Sequence, residues 1–220
     1  MAAKRSSRRG GSAVEFALLS VVWVPLLLGS WATGMTMIRS LQSDQIARDA
    51  GHMYARGVDF SLSGTQAMLG ELSSDMGTLT STGTGEVILS TISYIGRYQC
   101  KALGLADNAD PPNPSAACTN YGHWVFTHRF TIGNSSLATS HFGSPDASLV
   151  TQSTGYIARD VYTKNVLARA DTFTLLPKPK EDGADGFQAG QFAYLVETYF
   201  KVPQFPGVMT GQHAYAYAMF

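Results

Sequence analysis

The sequence predicts an α+β fold, with one long N-terminal hydrophobic helix of transmembrane or pilin type followed by a largely antiparallel β-sheet domain. Three observations predict it. No charged side chain occurs between Phe16 and Ile38. Four later segments are rich in β-branched and aromatic residues, with turn-forming text between them. A chain of 220 residues, 45% hydrophobic and with 22 glycines, suits one globular domain plus an anchor.

The helix comes first. Phe16–Ile38 would extend about 34 Å at roughly 1.5 Å per residue, enough to cross a hydrocarbon core of about 30 Å, and Arg39 closes the stretch. Pro25 cannot donate the bond that the Val21 carbonyl would accept, so a kink or local unwinding is expected there. Beyond the span, Ile46, Ala50, Met53 and Gly57 recur on one helical face, while Asp44, Arg48, Asp49 and Arg56 mostly point elsewhere. This narrow stripe suits packing onto a domain or a neighbouring helix, and the division expected is a basic leader (1–10), a helix (11–57) and a domain (58–220).

A second, short helix is expected from Ser63-Gly64-Thr65-Gln66, with Met68, Leu72, Met76 and Leu79 on one face. A loop rich in Thr, Ser and Gly follows, up to Glu86. The first strand is Val87–Ile95. The second, His123–Ile132, would put Trp124, Phe126, His128 and Phe130 on one side. In the third, Phe192–Val202, Glu197 and Lys201 lie opposite Val196, Phe200 and Val202. Pro203–Gly207 turns into a last strand, Gln212–Phe220. The loops around Asp107 and at Pro177–Phe187 read as surface connections.

Charge is balanced at sixteen basic and sixteen acidic residues. Without Lys4, Arg5, Arg8 and Arg9 the remainder is acidic, near −4, which gives no support to nucleic-acid binding. Those four cations predict a cytoplasmic N-terminus with the bulk of the chain outside. A mean hydropathy of −0.02 and the lack of a second apolar run of about 18 residues argue for a single span.

Cys100 and Cys118 bracket a loop containing Asp110-Pro111-Pro112-Asn113-Pro114. In an exported domain the pair is expected to form a disulfide, contributing roughly 3 kcal/mol by loop closure. Metal binding is the rival, but no close second ligand has zinc spacing.

Catalytic motifs are thin. There is no G-x-S-x-G elbow, P-loop lysine, H-E-x-x-H or C-x-x-C. Gly83-Thr84-Gly85 is a turn signal, and alternation puts His123 and His128 on opposite faces of their strand. Asp182–Gly186 lacks most ligand positions of a calcium loop. Asn134-Ser135-Ser136 matters as a glycosylation site only in a eukaryotic secretory host. No enzyme activity, metal or cofactor is expected.

The stretch Arg8-Arg9-Gly10-Gly11-Ser12-Ala13-Val14-Glu15-Phe16 carries the sharpest signal. A plain anchor, a signal peptide cut near Ser30-Trp31-Ala32, and twin-arginine export are the ordinary readings. Glu15 argues against a signal peptide, whose core should be apolar throughout. The order of basic leader, Gly, four residues, Glu and aromatic resembles a type IV prepilin processing site. Arg-Arg-Gly-Gly-Ser-Ala-Val-Glu-Phe-Ala-Leu-Leu is most similar to the TadE-like pseudopilins of the tight-adherence (Flp-type) pilus system. The specific part of this resemblance covers about the first 25 residues. Gly11 stands where relatives often carry a larger polar residue, leaving cleavage after Gly11 open, and Trp23, Pro25, Gly29 and Trp31 make the anchor less uniform than theirs.

The resemblance implies a prepilin peptidase that cuts after Gly10, leaving Gly11 as the new terminus and Glu15 and Phe16 as assembly residues. A neighbouring subunit's terminal amine, charged below a pKa of about 7.7–8.0, would neutralise Glu15. The alternative is that Glu15 rests in the headgroup layer. Expected partners are the peptidase, other pilins or pseudopilins, the assembly machinery and membrane lipid, with the protein in a bacterial inner membrane or its pilus. The competing function is a single-span, anchored extracytoplasmic binding or sensing protein unrelated to pili.

Overall fold

Helix α1 (Gly11–Ala55) runs 45 residues, about 67 Å, and its two halves meet different surroundings. In the computed structural model, which describes residues 11–179, 188–202 and 213–220, the first half is largely uncovered as far as Trp31: Phe16 is 74% exposed and Leu26 62%, and Ala32 is its first buried residue. It is the one helix among the described residues long and apolar enough to cross a membrane. Four of its hydroxyls are satisfied within the helix, Ser20 and Ser30 bonding the carbonyls of Ala17 and Leu27, and Thr33 and Thr36 those of Gly29 and Ala32. This leaves none of them needing water. Helical assignment continues unbroken through Pro25, so the unwinding expected there does not occur.

The second half of α1 is locked to the domain. Arg39, the first charge after the span, donates from Nη1 to the Met76 carbonyl at 3.2 Å. One turn further, Ser43 Oγ lies 2.9 Å from Thr198 Oγ1. Ala47 then packs between Ala216 and Ala218, small side chains on both surfaces letting helix and sheet approach closely. Gly51 continues this contact, since a Cβ there would overlap the Phe220 ring. The helix stops in a Schellman motif: Val58 N–H bonds Met53 O, Gly57 N–H bonds Tyr54 O, and Gly57 supplies φ +81°. Gly57 therefore ends the stripe of Ile46, Ala50 and Met53 instead of extending it.

The described residues form four strands, β1 (Gly85–Tyr94), β2 (Trp124–Gly133), β3 (Phe192–Lys201) and β4 (His213–Met219). All pair antiparallel in the order β2-β1-β3-β4, which establishes the α+β class. Strand β1 is buried along its whole length because both faces are covered. On one face Val87, Leu89, Val196 and Phe200 pack against Ile46, Ala50 and Tyr54 of α1. On the other, Ile92, Trp124, Phe126 and Leu195 meet Phe142, Ile157 and Phe173, all from the long connection between β2 and β3.

Two expectations about facing are corrected. In α2 (Ser63–Leu72) the inward residue is Leu69, followed by Met76 beyond the helix end, while Met68 and Leu72 stay half exposed. In β2 a bulge intervenes, Thr91 pairing with His128 but Ile92 with Phe126, so that Thr127 has no opposite number. One extra residue inverts the alternation. Trp124 and Phe126 therefore join the core away from α1, while His128 and Phe130 face α1. The parity argument separating His123 from His128 fails for the same reason. His123 precedes β2, with Nδ1 3.7 Å from Asp171, and does not join His128.

The leader with Gly10, the Asp182–Gly186 loop, the Pro203–Gly207 turn and Gln212 lie outside the described residues.

Candidate functional site

The chain carries two surfaces of functional interest, one at each end of α1. At the N-terminal end Gly11 opens the helix, and Glu15 and Phe16 follow within its first turns, their side chains exposed. Among the described residues Glu15 makes no hydrogen bond or ion pair. The domain begins at the other end of the apolar run, so its described residues offer Glu15 nothing to pair with.

At the opposite end, where α1 stops, a cleft of about 580 Å³ opens beside the helix terminus. Residues from four places build it: Tyr54 from α1, Asp59 and Phe60 from the turn after it, Thr91 and His128 from the sheet, and Tyr156 to Tyr162 from the β2–β3 connection. Phe192 and Tyr194 of β3 complete the wall. The bulge at Thr127 is what points His128 here. Its Nδ1 lies 2.5 Å from Tyr54 Oη, which also lies 2.7 Å from Thr91 Oγ1. Its Nε2 lies 2.7 Å from the Thr154 carbonyl, which can only accept. Nε2 therefore carries the proton, and Nδ1 accepts from the Tyr54 hydroxyl. Burial holds the His128 pKa below its ordinary value and raises that of Tyr54, so both are neutral near pH 7.

Beneath the opposite face of the sheet lies a buried polar network that the sequence did not announce. Glu197 is fully buried and accepts from His141 N–H at 2.9 Å, Tyr199 Oη at 3.0 Å, Tyr215 Oη at 3.3 Å and the Ser140 hydroxyl. Arg129 donates to Ser90 Oγ at 2.7 Å and Ser144 Oγ at 3.0 Å, in the field of Glu197 and Glu86. Glu86, 2% exposed, accepts from Ala138 N–H at 3.1 Å. The loop after β2 supplies most of these partners, so the network staples that loop to the sheet.

Burial pushes the Glu86 carboxyl up from 4.5 to about 7; Ala138 N–H and Arg129 oppose the shift, and Glu197 adds to it. The folded protein thus holds this proton more tightly than the unfolded chain. The resulting stabilisation is fully present below pH 4.5 and is lost as pH rises through about 7. Glu86→Gln, which cannot ionise, should remove that dependence. Its Tm relative to wild type should rise between about pH 4 and pH 8, and a constant difference across that window would refute the assignment.

Cys100 and Cys118 are joined in a disulfide, their Cα atoms 5.8 Å apart, as their placement around the loop predicts. It closes a small core of Ile95, Val125 and the two cysteines. Inside the loop Asp107 accepts from Asn113 N–H, Asn113 Nδ2 and Ala109 N–H, as a folded surface connection would. The Asn134 side chain is engaged with Ser136 and Gly83. Among the described residues no three His, Cys, Asp or Glu side chains gather to hold a metal.

Of the sequence candidates, Glu15 and Phe16 stay together at one end and the cysteines pair, while the cleft and the buried carboxylates were not foreseen. Tyr54 carried a partial signal, following Met53 in the α1 stripe. Glu197 carried none, since its strand alternation equally describes a solvent-facing residue. No family model matches the chain, and no curated protein or solved structure matches it either.

Proposed function

We propose that the chain is a minor pilin or pseudopilin, of the TadE-like kind, taking part in the biogenesis of a tight-adherence-type pilus in the bacterial cell envelope. In this reading a prepilin peptidase removes the leader after Gly10, and the protein sits in the inner membrane with its domain outside until it joins pilus partners. Its part is structural, without catalysis. The observation that carries the reading is Glu15, unpaired among the described residues, near the start of an unbroken helix whose apolar side chains are largely exposed as far as Trp31. A carboxylate at that place is costly unless something outside the chain meets it. The rigid docking of the second half of α1 supports the same reading, because it leaves the first half free to pack among other helices.

The processing step tests it. Mass spectrometry of protein from cells that possess a prepilin peptidase should find a mature N-terminus at Gly11. An intact leader, or a terminus at Thr33 after signal-peptide cleavage, would remove the basis for the proposal.

The cleft favours a second reading, a single-span anchored extracytoplasmic binding or sensing protein unrelated to pili. It predicts an uncleaved leader together with normal membrane insertion.

A further inference from the structure

We infer that the cleft at the C-terminal end of α1 is a binding site for a neutral oligosaccharide, whether or not the anchor assembles into a pilus. Its volume, about 580 Å³, falls within the range of about 300–1,000 Å³ typical of sites for small ligands. The walls are aromatic and wet: Tyr156 is 63% exposed and Phe192 48%, with Tyr162 and Tyr194 half-buried beside them. Large rings left against water in a concavity are unusual unless something covers them. They are also held in place, the Tyr156 ring lying edge-on to His128 at 4.5 Å and Tyr194 to Tyr54 at 5.3 Å. Fixed rings lose little entropy when a ligand lands.

The polar groups narrow the chemistry. Among the described residues the rim holds one cation, Arg159, and one carboxylate, Asp59, so these present no net charge to an ionic ligand. His128 adds none, its two nitrogens being committed to Tyr54 and Thr154. The floor has the hydroxyls of Thr91 and Thr127, bonded to Tyr54 Oη and to the Thr91 carbonyl, and each keeps an acceptor lone pair that a ligand hydroxyl can use and an acyl chain cannot. A neutral sugar meets both requirements. The C–H faces of its rings lie against the electron-rich faces of tyrosine and phenylalanine, and its hydroxyls serve as donors and acceptors to Arg159, Asp59 and the threonines. An open cleft suits it as well, because the uncovered hydroxyls stay in water.

The position suits an external ligand. Tyr54 lies about 24 Å along the helix from Ile38, the end of the uncharged run, so the cleft opens well clear of the membrane surface.

The test uses the full chain in micelles of a detergent without a sugar headgroup. Maltotriose, cellotriose and the N-acetylglucosamine trimer are the neutral probes, with oligogalacturonate and an oligoproline peptide as competitors of other chemistry, all titrated under saturation-transfer NMR. At least one neutral trisaccharide should bind with Kd below about 10 mM. Tyr156→Ala and Phe192→Ala should each weaken it at least tenfold with Tm unchanged, as expected of exposed side chains. Tyr217→Ala, an exposed tyrosine on the opposite face of the sheet, should bind as wild type does. No neutral binding at about 10 mM, binding that Tyr156→Ala leaves unchanged, or binding of oligogalacturonate or oligoproline alone would overturn the assignment.

Discussion

Glu15→Gln is expected to be made, inserted and cleaved after Gly10 at wild-type levels, yet to lose cross-linking to pilus partners by on the order of tenfold, equivalent to about 1.4 kcal/mol. The substitution keeps the size and hydrogen-bonding capacity of the side chain and removes only its charge. Among the described residues nothing in the domain bonds Glu15, and the hydrogen bonds and core contacts of α1 to the domain lie at Arg39 and beyond. If Glu15 merely rests at the membrane boundary, the amide should be neutral or slightly favourable to insertion, since removing a charge from an apolar segment lowers its transfer cost. If it meets a neighbour's terminal amine, insertion is unharmed and association fails. The comparison is made in cells at equal expression, with leader cleavage read from the same samples. Undiminished cross-linking and normal piliation would mean that Glu15 is an ordinary edge residue.

Glu197→Ala should be among the most damaging single changes in the domain, costing about 3–5 kcal/mol. The substitution strands three donors at once, the Ser140 and Tyr215 hydroxyls and the His141 N–H, leaves Tyr199 Oη with only the Thr139 carbonyl, and removes the carboxylate nearest in effect to half-buried Arg129. For a chain of this size the loss corresponds to a fall in Tm on the order of 10 °C. Lys201→Ala, on the same strand but exposed, provides the comparison and should stay within about 0.5 kcal/mol of wild type. Thermal unfolding of both variants beside wild type measures the difference. A Glu197→Ala loss below about 1 kcal/mol would mean that the network does not fasten the loop after β2 to the sheet.

The contrast between these two glutamates measures how much the sequence revealed. Glu15 was legible because its surroundings are consecutive: basic residues, glycines and an uncharged run adjoin it in the chain. Local order likewise predicted the long helix, the four strands to within a residue or two, and the cysteine pair across its loop. Hydrophobic periodicity and turn chemistry act over a few residues, so they survive in one dimension.

What the sequence left open depends on partners distant along the chain. The stripe on α1 asked for a surface, but only the fold supplies Ala216, Ala218 and Phe220 from the last strand. Strand alternation assigned Glu197 a face without saying that residues 138–144 cover it. A single unpaired residue, Thr127, moved His128 to the other side of the sheet and so into the cleft with Tyr54. A bulge is a property of register between two strands, and neither strand's own text contains it. The sequence by itself thus determined the long apolar helix, the fold class and the residues Gly10 to Phe16 that carry the proposed processing and assembly. The cleft and the buried carboxylates were decided by tertiary structure, because burial and pairing exist only once distant segments share a surface.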